Sequence, residues 1–291
     1  MTQLIDTHGN LDEAGDARFE LHRMWVVART DLRQLLRSKD YLLPMVGLGM
    51  MFFLVVPTTL LLILTNVDSS SMAARVSETL DMLPAPAQAQ ILGDTPGART
   101  AYALAVFLFA PVAVVVPLTI STAVGASTIV GERERGTGEF LAHSPATTRE
   151  IYLGKVLASI VPGYATTIVG FGLYSLMVNL VVGPDAGGWF FPTAQWWVMM
   201  LWILPPFLLV ALSLVLRLSA RVRSTAAAQQ ASGLITLPMI GIAYSQATGS
   251  LLGNGGRTGW ILGAVIWVVA IVSLHRGVRS VTRNRLLGVA A

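Results

Sequence analysis

The sequence predicts an all-α integral membrane protein with six transmembrane helices, an N-terminal amphipathic interface helix and both termini cytoplasmic. Three observations carry that prediction. Apolar residues make up 54% of the 291 and charged residues only 12%, with a mean hydropathy of +0.64, a balance that water does not host easily. Uncharged runs occupy residues 41–67, 100–131, 156–184, 186–216, 224–256 and 258–274. Five exceed the roughly 20 residues a helix needs to cross about 30 Å of hydrocarbon; the sixth sits at the lower limit, with Arg257 and His275 placed to snorkel outward. Finally, 17 of the 20 Lys and Arg residues fall on one side of such a topology, leaving Arg75, Arg99 and Arg257 on the other. By the positive-inside rule the richer side is cytoplasmic.

The elements follow in order. Residues 1–17 are polar and acidic and are expected to be a disordered cytoplasmic tail. They and their neighbours, with Asp6, Asp12, Glu13, Asp16 and Glu20, lack the apolar core of a cleavable secretory signal. Residues 18–39 place Leu21, Trp25, Ala28, Leu32 and Leu35 on one stripe and Arg29, Arg33 and Arg37 on the next. That spacing predicts an amphipathic helix lying in the inner membrane interface, with a helix packed on a partner as a compatible alternative. The six-span domain covers 40–275, with spans at about 41–65, 101–130, 156–182, 194–216, 226–248 and 258–275. Residues 66–99 form the sizeable outer loop, and residues 276–291 are a basic cytoplasmic tail. Trp189, Phe190, Phe191, Trp196 and Trp197 gather at the outer end of the fourth span and Trp260 at that of the sixth, as interfacial aromatics do.

Several chemistries are excluded or disfavoured. Without cysteine there is no disulfide, thiolate nucleophile or Cys-ligated metal. The Gly154-Lys155 pair lacks the other residues of a phosphate-binding loop, with Arg149 and Val156 where glycine and Ser or Thr belong. His8, His22, His143 and His275 are scattered, with no second His at ligand spacing. An intramembrane serine protease would have to use Ser127 and His275, but "GAST" lacks the glycine that follows the nucleophile in rhomboid-type enzymes. The predicted spans hold no Asp, Glu, Lys or Arg, the groups an ion-coupled transporter uses at membrane depth. Their deepest polar residues include Thr119, Ser121, Thr122, Asn179, Gln229 and Gln230. Thr119, Thr122, Asn179, Gln229 and Gln230 are candidates for a substrate path, with hydrogen bonding between helices as the other reading. GxxxG spacings at Gly249/Gly253 and Gly259/Gly263 allow close helix contact.

The densest mixed-charge cluster lies between two long apolar runs, in "GERERGTGEFLAHSPATTREIYLGK". This stretch resembles the first cytoplasmic loop of ABC type-2 transporter permeases, in the residues Glu132, Arg133, Glu134, Gly136, Thr137, Glu139, Leu141, Ser144, Pro145, Gly154 and Lys155. "SARVRSTAAAQQASGLITLP" at 219–238 is similar to the start of that family's fifth span, and the likeness extends over about 18–285. Gly138 departs from the pattern, standing where the family usually has a bulky apolar residue. The resemblance implies a six-span permease half that pairs with a second, identical or similar chain and with two separate ATP-binding subunits. It implies export, no cofactor in this chain, and ATP with Mg on the partner. It also implies that the loop docks on the ATPase, with Glu132, Arg133, Glu134 and Arg135 supplying charge and Phe140 and Leu141 the apolar anchor. Gly136 and Gly138 would turn the chain and Pro145 end the segment. A loop whose charges only set topology is the plainer alternative. A scaffold or sensor that binds the ATPase and moves nothing is the alternative function. The uncharged spans favour a lipophilic or amphipathic cargo, a drug, lipid or peptide, in the inner membrane of a prokaryote.

Overall fold

The structure is a computed structural model that describes residues 19–66, 78, 80, 85–134, 144–219, 241 and 257–280. Among the described residues every regular element is helical. The amphipathic helix α1 is Leu21–Arg37. Five helices are long and apolar enough to cross a membrane: α2 Lys39–Thr65, α3 Pro96–Thr128, α4 Thr148–Val181, α5 Ala194–Leu218 and α6 Arg257–Arg279. The predicted fifth span, 226–248, with Gln229 and Gln230, lies outside the described residues apart from Gly241.

The helix that contains the third uncharged run extends beyond it at its start. α4 begins at Thr148 rather than near 156, because Thr147 and Glu150 form a capping box that satisfies the free amides of the first turn. Helix α3 begins comparably, with Thr95 accepting from the Ala98 amide and Pro96 in the first turn. α3 is the most enclosed of the five, and α2 and α6 are the least, with Leu43, Val46, Val265 and Val268 exposed. In a bilayer those faces meet lipid or another apolar chain.

The main core lies in the half of the bundle away from α1. It joins Phe53 of α2, Val106, Phe107 and Phe109 of α3, Phe171 and Tyr174 of α4, and Trp196, Met199 and Met200 of α5. Phe171 stacks on Trp196 with centroids 5.7 Å apart, and Tyr174 meets Phe191 edge to face at 5.3 Å. Three spans carry a wide turn in this half, at Met51–Val55, Leu104–Leu108 and Val198–Ile203. Such a turn shifts the hydrogen-bond pattern and frees carbonyls that lipid cannot satisfy. In two of the three, aromatic donors take up carbonyls: Tyr174 Oη donates to Ala105 O at 2.8 Å, Trp196 Nε1 to Val106 O at 2.8 Å, and Tyr164 Oη to Met200 O at 3.0 Å.

α5 and α6 run parallel. Trp202 Nε1 donates to Trp260 O at 3.1 Å near one end of the pair, while Leu274 and Val278 pack with Leu216 near the other. Gly263, one of the predicted close-contact glycines, faces the Trp202 ring so closely that a side chain would collide with it.

Tyr174→Phe removes the donor that serves Ala105 O and leaves a buried carbonyl unpaired. We expect a loss of about 1–3 kcal/mol, read as a lower unfolding midpoint in detergent with unchanged membrane insertion.

Candidate functional site

The charged loop begins where α3 ends and returns at α4. The helical backbone of α3 continues through Glu132, Arg133 and Glu134; Arg135, Gly136, Thr137, Glu139, Phe140 and Leu141 lie outside the described residues. Ser144 and Pro145 lead back into α4. This returning stem is fastened to α1 in three ways.

The first is a shared carboxylate. Glu150 is fully buried. Its Oε2 accepts from the Thr147 amide at 2.7 Å, closing the capping box, and its Oε1 accepts from the Glu20 amide, also at 2.7 Å. One side chain therefore caps two helices, because Glu20 precedes α1 and its amide belongs to the unsatisfied start of that helix. Arg23 completes the clasp: its Nε lies 3.0 Å from Glu20 Oε2, and its Nη1 donates to Pro145 O at 3.1 Å.

The second is close packing. A Cβ on Gly154 would lie 2.9 Å from the Val27 side chain and 3.0 Å from Met24 O, so only glycine lets α1 approach α4 this closely. The third is an ion pair one residue on. Lys155 has no exposed surface, and its Nζ donates to Thr128 O at 2.7 Å and lies 3.6 Å from Asp31 Oδ2. Asp31 comes from α1, Thr128 from α3 and Lys155 from α4, so three helices meet at one ammonium group. A cleft of about 170 Å³ beside it, lined by Asp31, Gln34, Ser38, Tyr41, Ser127 and Thr128, has room for water.

A second, smaller apolar core surrounds this region. Ala146 of the stem, Ile151, Tyr152 and Val156 of α4 and Leu216 of α5 form it, with Val27, Leu274 and Val278 packed against it. Gly277 of α6 sits directly on Tyr152. The stem is thus the point where α1, α4, α5 and α6 converge. Arg23, Arg149, Arg217, Arg276 and Arg279 belong to this end of the bundle, while Arg99 and Arg257 open α3 and α6 at the other.

Of the candidate substrate-path residues, the three that are described, Thr119, Thr122 and Asn179, do not gather at one place. Thr119 is exposed and donates to Val115 O at 2.8 Å; Thr122 is buried and donates to Leu118 O at 2.7 Å. Asn179 lies at the far end of α4, accepting from the amides of Phe190 and Phe191 and donating to the carbonyls of Ser175 and Phe191. It splices the loop before α5 onto α4. Ser127 donates to Val124 O at 2.8 Å and lines the cleft beside α1, whereas His275 lines a groove between α5 and α6. Among the described residues no hydrogen bond joins the two, and no group of three His, Asp or Glu residues is arranged to hold a metal.

Sequence reasoning singled out Gly154 and Lys155 but missed Asp31, Glu20, Arg23 and Glu150. Two signals were present. Asp31 is a carboxylate inside the apolar stripe of α1, three residues after Ala28 and four before Leu35, and Thr-x-x-Glu at 147–150 is a capping-box pattern.

A family model described as ABC-2 family transporter protein matches residues 25–255, from within α1 to just before α6. No curated protein matches the chain.

Lys155→Met leaves Asp31 facing an apolar group, at an expected cost of about 3–5 kcal/mol, whereas Lys155→Met with Asp31→Leu recovers most of it. A double-mutant cycle on unfolding in detergent checks both. Gly154→Val should push α1 off α4, which hydrogen exchange reads as faster exchange of the Leu21–Arg37 amides with little change in α3.

Proposed function

We propose that this chain, which belongs to the ABC-2 transporter family, is the membrane-spanning permease subunit of an ATP-driven exporter. A separate ATPase subunit, present in two copies, hydrolyses ATP with its own Mg, and a second permease chain completes the pathway. The chain itself catalyses no reaction. The observation that carries this reading is the fastening of the loop's returning stem to α1 through Glu150, Arg23 and Lys155. A push on a loop held only at its ends would be absorbed by the loop. Held by a buried carboxylate, a buried ammonium and an apolar core, the stem passes displacement to four helices together, since packed cores move as units.

The docking surface is assigned to Glu132, Arg133, Glu134, Arg135, Gly136, Thr137, Glu139, Phe140, Leu141, Ser144 and Pro145. Charge gives register on the partner and the two apolar side chains give anchorage. The end of the bundle bearing α1 is assigned to the cytoplasm of a prokaryotic inner membrane, because the basic residues concentrate there. The parallel run of α5 and α6 supports six crossings. Parallel neighbours require the chain to cross once more between them, and residues 226–248 are long and apolar enough to do so. Cargo is assigned to lipophilic or amphipathic molecules moving between two permease halves.

Two experiments test this. Purified in mild detergent from its native cells, the protein should bring with it a stoichiometric ATPase, and lipophilic compounds should stimulate hydrolysis. A protein that repeatedly comes out alone would overturn the assignment; one that binds the ATPase but moves no cargo in vesicles is a scaffold. Glu134→Arg with Phe140→Ala should leave insertion intact while abolishing stimulated hydrolysis and transport. Normal activity in that double variant rules out the docking assignment.

A further inference from the structure

A groove of about 670 Å³ opens between α5 and α6, lined by Arg217, Ile271, Val272, His275, Arg276 and Arg279. Its composition is graded. Ile271 and Val272, 62% and 43% exposed, present apolar surface; one helical turn further, about 6 Å along α6, stand His275 and Arg276, and Arg279 follows about a turn beyond them. Arg217 faces them from α5; its Nε donates to Ser213 O at 2.9 Å, and among the described residues its Nη groups have no partner. No acidic residue lines the groove among the described residues. The groove lies at the end of the bundle that carries α1, since Gly277 between the arginines rests on Tyr152.

We propose that this groove binds one anionic glycerophospholipid, with its phosphate among Arg217, Arg276 and Arg279 and the upper part of an acyl chain along Ile271 and Val272. Three cations with no carboxylate among the described lining residues repel one another, and an anion held among them relieves that repulsion. Arginine forks match phosphate oxygens in paired hydrogen bonds. The apolar step below excludes a purely soluble anion as the best fit, because inorganic phosphate would leave that surface exposed. Basic pockets between transmembrane helices are where anionic headgroups bind. A second copy of this chain does not suit the groove, since it would bring the same positive charge. The proposal requires α5 and α6 to cross a bilayer and is independent of whether the chain transports.

The test uses the full-length protein in nanodiscs of equal phosphatidylglycerol and phosphatidylcholine, followed by mild extraction and native mass spectrometry of retained lipid. We expect the wild type to keep one phosphatidylglycerol per chain in preference to phosphatidylcholine. Arg276→Gln with Arg279→Gln should lower that preference by about fivefold for each arginine removed. Arg33→Gln with Arg37→Gln on α1 should leave the tightly held lipid in place. No preference in the wild type, which needs no variant to fold, overturns the proposal. So does displacement of the lipid by excess inorganic phosphate, which would mark a plain anion site. Equal loss in the α1 variant overturns it as well, by making the effect one of overall charge.

Discussion

The ammonium of Lys155 is the constraint on which the α1 end of the bundle depends. A fully buried Lys is expensive unless paired and hydrogen-bonded. Here the carboxylate of Asp31 and the carbonyl of Thr128 meet that demand from two different helices. The three backbones are therefore held in one arrangement, since moving any of them away strands a charge. The neighbouring Gly154 allows the approach, and Glu150, less than two turns earlier, fixes the start of α1. Charge, absence of a side chain and a shared cap act within six residues of α4 on the same object, α1.

The end of the bundle away from α1 is organised by a different principle. There the spans widen locally, and aromatic hydroxyl and indole groups from α4 and α5 answer the carbonyls that the wide turns release. Each ring then also fills volume in the main core. Asn179 does the same for the loop that enters α5, with two donors and one acceptor all used on backbone. Rigidity at that end rests on aromatic packing, and rigidity at the α1 end on a few polar links set in a small apolar core.

Much of this was legible from the residues, for identifiable reasons. The spans announce themselves because lipid demands long uncharged runs, and five of the predicted six are helices long and apolar enough to cross. α1 was legible from its stripe, and its helix covers most of 18–39. What it packs against was not: a periodic stripe says that a face is covered and is silent about whether lipid or protein covers it. Leu21 and Trp25 are exposed while Ala28 and Leu35 are buried against neighbours, so the stripe serves two surfaces at once. That the helix of the third uncharged run begins as early as Thr148 was not legible from charge, because Glu150 and Lys155 are charges that protein, not water, receives. The pairing of Glu20 with Glu150 leaves no local trace, although the capping box at 147–150 does. The acidic residue within the apolar stripe was the one trace that Asp31 did leave.

The distance along the chain between these partners has a consequence for biosynthesis. The bond from Glu20 to Glu150 spans 130 residues. At about 5–20 residues per second of synthesis, α1 leaves the ribosome roughly 7 to 26 s before α4 can receive it. Through that interval Asp31 has no Lys155, and α2 and α3 must insert while α1 waits. A helix with Leu21, Trp25 and Leu36 beside a row of arginines is suited to waiting at the bilayer surface. α6 is made after both α1 and α4, so Leu274 and Val278 join a core whose other members have already been synthesised.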